Sequence, residues 1–165
     1  EYGTPRHVLQ PIMNAVNGFD LDPCSGAEHF ETADTRYTVD DNGLLQEWFG
    51  NVWVNPPFSE KTAWIRKAVQ EHTAGNTELV CVLLPVDTST AWFHEHVAPH
   101  ADTVWFRDSR LIFDNAGDGN TNPNFGVMIA VLGEPPRELL EHFDRNGTVY
   151  TQSERFTRTT QTTFQ

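Results

Sequence analysis

The sequence predicts an α/β fold with a mostly parallel central sheet, and three observations support this prediction. Short apolar, β-branched segments alternate along the chain with segments whose apolar residues recur at helical spacing. The most apolar segment, residues 78–85, is apolar at almost every position, as expected of a strand buried on both faces. Turns that contain proline or glycine directly follow two of the predicted strands. This alternation is typical of α/β sheets, and 165 residues suit one domain spanning residues 1–165.

The first third of the chain is predicted to hold a helix, a short strand and a lid. Thr4 as N-cap and Pro5 at the first helical position begin a helix that ends near residues 17–18, which are Asn-Gly. Residues 19–26 are typical of a short strand that ends in a turn. Residues 27–49 are polar with weak periodicity, so we expect a loop or lid there rather than a full βαβ unit.

The remaining elements follow from the same periodicities. Apolar runs predict strands, helical spacing predicts helices, and Gly/Asn/Asp clusters predict loops. In chain order they are a strand at 52–54, a helix at 61–74, a strand at 78–85, a helix at 88–97, one or two strands within 102–113, a loop at 114–124, a strand at 125–132, a short helix at 137–143, and a polar tail or edge strand at 147–165.

Composition indicates a folded domain rather than a membrane or secreted protein. Aromatic residues make up 12% of the chain, which is too many for a disordered segment. No apolar run reaches membrane length and no signal-peptide pattern is present, so we expect no membrane partner. Cys24 and Cys81 lie in or beside predicted strands, which favours free thiols in a reducing cytoplasm over a disulfide framework. We also expect a monomer.

The net charge of -12 is unusual, because the chain holds only two lysines, Lys61 and Lys67. Such an acidic chain should repel nucleic acid at ordinary salt. At an ionic strength of about 1 M the Debye length shrinks to roughly 3 Å, and this repulsion is largely screened. The composition therefore favours a halophilic protein if nucleic acid is its partner.

The sequence at residues 52–58 reads Val-Trp-Val-Asn-Pro-Pro-Phe and predicts a strand that stops at a rigid loop. Proline cannot donate to a sheet ladder, so the strand must end by Asn55. The residue before a proline is held in extended geometry. The Asn55 amide and the carbonyl oxygens of Asn55 and Pro56 can therefore accept hydrogen bonds at the carboxyl end of a strand, where α/β sheets bind ligands.

A second strand end, at residues 22–26, reads Asp-Pro-Cys-Ser-Gly. A carboxylate at this position can accept hydrogen bonds from hydroxyl or ammonium groups, and the glycine allows close approach of a ligand to the backbone. By itself the pattern is weak, since it lacks a full Gly-x-Gly-x-x-Gly, and an Asp that closes a turn explains it equally well. Its pairing with the Asn-Pro-Pro-Phe motif favours a ligand site.

On these motifs the chain resembles amino-group methyltransferases that use S-adenosylmethionine, and more closely the phage-type DNA N-6-adenine methyltransferase family. The resemblance covers most of the chain. The segments that carry it are Thr4-Pro5, Asp20-Leu21-Asp22-Pro23, Asp41-Asn42-Gly43-Leu44 before Trp48, Val54-Asn55-Pro56-Pro57-Phe58, Leu84-Pro85, Asp87-Thr88, Trp92-Phe93, Arg110-Leu111-Ile112-Phe113, and Pro123 with Phe125.

The resemblance implies a compact, single-domain, Rossmann-like class I methyltransferase fold, reduced relative to the full core. It also implies transfer of a methyl group from S-adenosylmethionine to N6 of a flipped-out adenine in DNA, by a viral enzyme in the host cytoplasm, without a metal. The catalytic residues it implies are Asn55, Pro56, Pro57 and Phe58. The cofactor-binding residues it implies are Thr4, Pro5, Asp20, Asp22, Pro23, Cys24 and, on the adenosine side, Asp41.

In the implied mechanism, the amino group of adenine donates hydrogen bonds to the Asn55 side chain and to the backbone carbonyl of Pro56. These acceptors turn the nitrogen lone pair toward the methyl group. Phe58 stacks on the base, a type of contact worth about 1–3 kcal/mol. Positioning and electrostatic alignment then carry most of the catalysis.

Two other functions remain open from the sequence. The Asn-Pro-Pro-aromatic motif also occurs in methyltransferases that act on RNA or on protein glutamine. A module that binds S-adenosylmethionine or nucleic acid without catalysis is the alternative of another class.

Two further groups of residues have simpler explanations. His94, His96 and His100 suggest a metal site, but a solvated helix face is the expected explanation. Arg107 and Arg110 are either a phosphate clamp or partners of neighbouring Asp residues.

Overall fold

The computed structural model describes residues 3–26, 28–113 and 126–153. These residues form one mixed sheet with helices packed against it. The helices are α1 (Arg6–Ala15), α2 (Lys61–Thr73) and α3 (Arg137–Arg145), and the strands are β1 (Leu21–Asp22), β2 (Thr35–Arg36), β3 (Gly50–Val54), β4 (Thr77–Pro85), β5 (Thr103–Arg107), β6 (Val127–Leu132) and β7 (Gly147–Thr151). The predicted loop at 114–124 and the tail beyond residue 153 lie outside the described residues.

The strand order is β2-β1-β3-β4-β6-β5-β7. The pairings from β2 to β4 are parallel, whereas β6 runs antiparallel to both β4 and β5, and β7 runs antiparallel to β5. The prediction of a mostly parallel sheet is therefore correct for one half of the sheet and wrong for the other. All residues of β6 are buried, and such an apolar run reads the same whichever way the strand points.

Two layers of apolar side chains cover the two faces of the sheet. Successive residues of a strand point to opposite faces, so Trp53 of β3 packs in the layer that includes α1 and α3, and its neighbour Val52 packs in the layer that includes α2. α2 contributes Trp64, Ile65 and Ala68 to its layer. The two layers hold β3 rigidly, and β3 leads directly into the Asn-Pro-Pro-Phe motif.

Residues 27–49 contain a strand that the sequence does not predict. β2 pairs in parallel with β1, and the Tyr37 backbone N–H donates to the carbonyl oxygen of Asp22 at 2.9 Å. A strand of two residues is too short to show periodicity, which explains why these residues read as a lid. The segment nevertheless provides a third parallel strand beside β1 and β3.

One other prediction is confirmed and two need correction. The sequence predicts one or two strands within residues 102–113, and one strand, β5, forms there. The predicted helix at 88–97 is wrong in its start and its type, because residues 88–90 form a turn and the helical residues 91–97 end in a π-helical segment, Phe93–Val97. Helix α1 begins at Arg6, and Pro5 precedes it with extended geometry, so neither Thr4 nor Pro5 has the predicted position at the helix start.

Among the described helices, none has the length and apolar character needed to cross a bilayer. Both cysteines are free thiols. Cys81 is enclosed in β4, and burial raises the pKa of its thiol to about 12.

Candidate active site

Parallel pairing brings the ends of β1 and β3 to the same edge of the sheet. Leu21 of β1 pairs with Val52 of β3, so Asp22 and Asn55 both lie near the carboxyl end of this parallel pair. The chain before α1 reaches the same edge, where the side-chain amide of Asn55 donates from Nδ2 to the Thr4 hydroxyl oxygen at 3.1 Å. The structure thus brings together three residues that the sequence predicts for the site.

Glu28 completes this cluster, and nothing in the sequence pattern predicts it. Its Oε1 accepts from Asn55 Nδ2 at 3.3 Å and from the Thr4 backbone N–H at 3.3 Å. The other carboxylate oxygen, Oε2, is buried and has no hydrogen-bond partner within the described residues. A buried carboxylate oxygen in this situation suits a ligand that donates a hydrogen bond or carries positive charge.

Asp22 is a second carboxylate near this edge, and only 1% of it is exposed. The Thr32 hydroxyl donates to Oδ2, and the Cys24 backbone N–H donates to Oδ1 at 3.1 Å. The pKa of Asp22 is raised to about 7, chiefly by burial and also by the negative charge of Glu28, against the lowering effect of these two donors and of Arg36. A cation bound here would favour the ionised form.

A cleft of about 400 Å³ opens beside the turn that follows Asp22. One side is the turn after β1, and the other side is formed by the turn after β2 and the segment that leads into α2. The residues that line it are Pro23, Cys24, Ser25, Thr38, Val39, Asn42, Gly43, Leu44, Pro57, Glu60 and Trp64. Two predicted cofactor residues, Pro23 and Cys24, and the predicted catalytic residue Pro57 are therefore on its wall. The cleft has the size of a small-molecule site.

Phe58 lies on the first turn after the two prolines. Its ring is half-buried and meets Phe113 edge-on, with ring centroids 5.9 Å apart. The Lys61 ammonium donates to the Phe58 carbonyl oxygen at 3.1 Å and lies 5.2 Å from the Trp92 ring centroid. These contacts orient the segment that follows Pro57. The backbone of Pro57 itself is extended, with φ -55° and ψ 126°.

Two predicted cofactor residues lie apart from the Asn55 cluster. Asp20 is at the amino end of β3, where its Oδ2 accepts from the Asn51 backbone N–H at 2.7 Å. Asp41 closes the turn after β2, since its Oδ2 accepts from the Thr38 backbone N–H at 2.8 Å and from the Thr38 hydroxyl at 3.1 Å. The Asp41 contacts shape a wall of the cleft, whereas the Asp20 contact ties β1 to β3.

The other polar residues that the sequence singles out have different surroundings. In the described part of the chain, no group of three or more His, Cys, Asp or Glu side chains could hold a metal ion. Arg107 donates from Nη1 to the carbonyl oxygens of Ser109 and Arg110, at 2.9 and 3.1 Å. It thereby holds the turn after β5, a contact that neither prediction for Arg107 anticipated.

An oriented amide, two carboxylates and an adjoining cleft thus lie at a parallel sheet edge, which is the place where α/β proteins bind ligands. The model of the DNA N-6-adenine-methyltransferase (Dam) family matches residues 1–157, and the chain belongs to this family. The resemblance seen in the sequence motifs is thus confirmed.

Two phage proteins are similar to this chain. A DNA N-6-adenine-methyltransferase of Escherichia phage T1 is 31% identical over 136 residues, which make up 81% of this chain and 54% of the phage T1 protein. A protein of the same name from Haemophilus phage HP1 (strain HP1c1) is 34% identical over 137 residues, which make up 81% of this chain and 78% of that protein. The chain therefore spans about half the length of the first relative and over three quarters of the second.

Proposed function

We propose that this protein transfers a methyl group from S-adenosylmethionine to N6 of an adenine in DNA. Family membership supports the reaction. The structural observation that carries the proposal is the Asn55 amide at the end of β3, whose nitrogen donates to Thr4 and Glu28. Because Nδ2 donates to these two protein acceptors, Asn55 interacts with a substrate amine through its carbonyl oxygen, as an acceptor.

The residues present fit S-adenosylmethionine. This cofactor carries an ammonium and a sulfonium, and when bound it supplies an electrophilic methyl group. The buried Glu28 Oε2 and the Asp22 carboxylate offer acceptors and negative charge near the ammonium, while the cleft beside Pro23 can accommodate the nucleoside. Thr4 and Asp22 would then hold the methionine end, and the Asp41 turn would face the adenosine. We propose that Asp20 acts indirectly, because its carboxylate ties Asn51 to β1.

The proposed fold is a reduced, Rossmann-like class I methyltransferase core. Its support is the parallel half of the sheet, from β2 to β4, together with candidate ligand groups at the carboxyl ends of β1 and β3. The antiparallel half, with β6 between β4 and β5, gives β4 a partner on its other side. This half supports the β4 end of the sheet without adding to the proposed cofactor site.

Catalysis in this proposal depends on positioning. The target adenine leaves its stack and enters the site, where Asn55 and the carbonyl oxygen of Pro56 accept from its amino group. Phe58 provides a stacking surface for the base, and its edge-on contact with Phe113 sets the angle of the ring. Two acceptors on one amino group direct the nitrogen lone pair to the incoming methyl, which makes the displacement effectively intramolecular.

The acidic, lysine-poor composition supports a halophilic enzyme that meets DNA at high salt, in the cytoplasm of a phage host. The net charge of -12 opposes an encounter with DNA at low ionic strength. High salt shortens the range of this repulsion to a few ångströms. Close contacts such as base stacking are then the main source of affinity.

The function is tested by tritiated methyl transfer to unmethylated DNA, followed by nucleoside analysis. Wild-type protein is expected to form N6-methyladenine, and Asn55→Ala is expected to lose at least about 100-fold in rate, as when a key hydrogen-bonding group is removed. Asn51→Ala is a matched control, because it removes an amide from the same strand at its opposite end. Label found only in RNA or protein would overturn the DNA substrate, and no transfer to any acceptor would favour a silent binding module.

A further inference from the structure

We propose that Glu28 is a positioning residue that sets which end of the Asn55 amide faces the substrate. The inference rests on the proposed role of Asn55 and adds a residue to that site. An amide has a donating end and an accepting end of nearly the same shape, so packing alone does not decide between them. An amine substrate requires the accepting end, and a neighbouring group must therefore hold the NH2 end.

Glu28 and Thr4 provide this discrimination. The Asn55 nitrogen lies 3.3 Å from Glu28 Oε1 and 3.1 Å from the Thr4 hydroxyl oxygen. An ionised carboxylate only accepts hydrogen bonds, so a reversed amide would place its own oxygen against Glu28 Oε1 and lose that hydrogen bond. A hydroxyl could serve either end of the amide by rotating its proton. Of these two groups, the carboxylate is therefore the one that distinguishes the two ends.

Glu28 is itself held in place for this task. The Thr4 backbone N–H donates to the same oxygen, Oε1, at 3.3 Å, and Thr4 is fully buried two residues before α1. The other oxygen, Oε2, is buried and makes no hydrogen bond to the described residues. Within this part of the chain, all hydrogen bonds of the Glu28 carboxylate thus go to Thr4 and Asn55.

The pairing predicts that the two side chains can exchange their chemical roles. Asn55→Asp keeps an acceptor for the substrate but places two carboxylates against each other. Glu28→Gln then supplies an NH2 group that donates to the new carboxylate and restores the hydrogen bond with its direction reversed. Rescue of one substitution by the other requires direct contact between the two groups, which a purely structural role of Glu28 elsewhere does not provide.

The experiment is a double-mutant cycle on Asn55→Asp and Glu28→Gln, with kcat, KM for DNA, and melting temperature measured for each variant. Asn55→Asp is expected to lower kcat by at least about 30-fold, and the double variant is expected to regain at least about 10-fold of that loss. The melting temperature should show the same rescue, which gives a readout independent of turnover. Affinity for S-adenosylhomocysteine, measured by calorimetry, tests the proposed contact of Glu28 with the ammonium separately. The two variants that carry Glu28→Gln should lose affinity by a similar factor, and Asn55→Asp alone should change it by less than about 3-fold.

Glu31→Gln is the matched control for the rescue. Glu31 lies three residues further along the same segment, its side chain is 86% exposed, and its ion pair with Arg36 spans 3.9 Å. The substitution Glu31→Gln removes the same charge as Glu28→Gln, and it is expected not to restore the kcat of Asn55→Asp. Equal rescue by Glu31→Gln would mean that the loss of one negative charge explains the rescue, and this would overturn the proposal. The proposal would also be overturned if the kcat of the double variant equalled the product of the two single effects, since the two residues would then not be coupled.

A second comparison applies if Asn55→Asp does not fold. Glu28→Ala in the otherwise wild-type protein should lower kcat with little change in KM for DNA. Glu28→Gln should keep most of the kcat that Glu28→Ala loses. An unchanged kcat for Glu28→Ala would overturn the positioning role. If instead Asn55→Ala keeps full activity, the proposed function of Asn55 fails first, so the two failures are distinguishable.

Discussion

The Thr32 hydroxyl donates a hydrogen bond to the carboxylate of Asp22, ten residues earlier in the chain, at a point where both side chains are buried. The Cys24 backbone N–H donates to the other oxygen of the same carboxylate. Two donors are not enough to offset burial, and the pKa of Asp22 is therefore raised to about 7. Because burial and hydrogen bonding shift the pKa of Asp22 in opposite directions and burial dominates, the stability of the folded protein should depend on pH.

Asp22→Asn is expected to stabilise the cofactor-free protein above pH 7. The folded-state pKa of about 7 lies above the ordinary value of 3.8, so the folded protein binds the proton more tightly than the unfolded chain between these values. The free energy of unfolding of the wild type, compared with that of Asp22→Asn, should therefore fall by roughly 2–4 kcal/mol in total as pH rises from about 4 to 7. Urea denaturation at a series of pH values measures this, and a difference that does not vary with pH would contradict it.

Phe58→Ala is expected to keep cofactor binding and to lose about 5–150-fold in turnover, which corresponds to the stacking energy of a base on an aromatic ring. Phe58→Tyr is the control, because it keeps the ring and its edge-on contact with Phe113. Single-turnover rates and calorimetry with S-adenosylhomocysteine separate the two effects. Unchanged turnover in Phe58→Ala would remove the stacking role.

Gly43→Ala is expected to disturb the cleft. A methyl group at Gly43 would overlap the Pro23 carbonyl oxygen, so the turn after β2 would move away from the turn after β1. Cofactor affinity should fall by at least about 10-fold, which equals about 1.4 kcal/mol.

Gly75→Ala is the control for this substitution. Gly75 has a φ of +81° and open space around it, at the end of α2. Its replacement should cost about 1 kcal/mol of stability through backbone strain, with no effect on affinity. Equal losses of affinity in the two glycine variants would show that the close contact with Pro23 is not important.

Salt is expected to raise both stability and activity. The net charge of -12 causes self-repulsion in the folded protein and repulsion of DNA, and both decline as the Debye length falls from about 10 Å at 0.1 M to about 3 Å at 1 M. Melting temperature and methylation rate measured from 0.1 to 3 M KCl test this, with NaCl as a comparison. Maxima below about 0.2 M would contradict a halophilic origin.

Some elements could be predicted from the sequence because their causes are local. Two prolines after Asn55 end β3 wherever the strand lies, since proline cannot donate to a ladder. The apolar run of β4 indicates a central strand because burial on both faces excludes polar side chains. Helical spacing in α2 acts over a few turns. Near neighbours in the chain decide each of these features.

Other elements depend on how distant segments meet. β6 runs antiparallel to β4 and β5, a direction that its apolar residues do not encode. β2 is too short to show a pattern and becomes a strand only when β1 pairs with it. Glu28 lies in a polar segment without periodicity, and it contacts Asn55 across 27 positions of the sequence. No short-range rule predicts such a contact.

By itself, the sequence determined the family, the rigid strand end at Asn55 and the presence of a carboxylate at Asp22, because motif order and proline geometry are written in adjacent residues. Only the tertiary structure decided that Thr4 contacts Asn55 instead of capping a helix, that Asp20 ties β1 to β3, and that Glu28 lies beside the Asn55 amide. The physical reason is that a hydrogen bond requires atoms about 3 Å apart. For residues far apart in the chain, the packing of the whole sheet determines that distance.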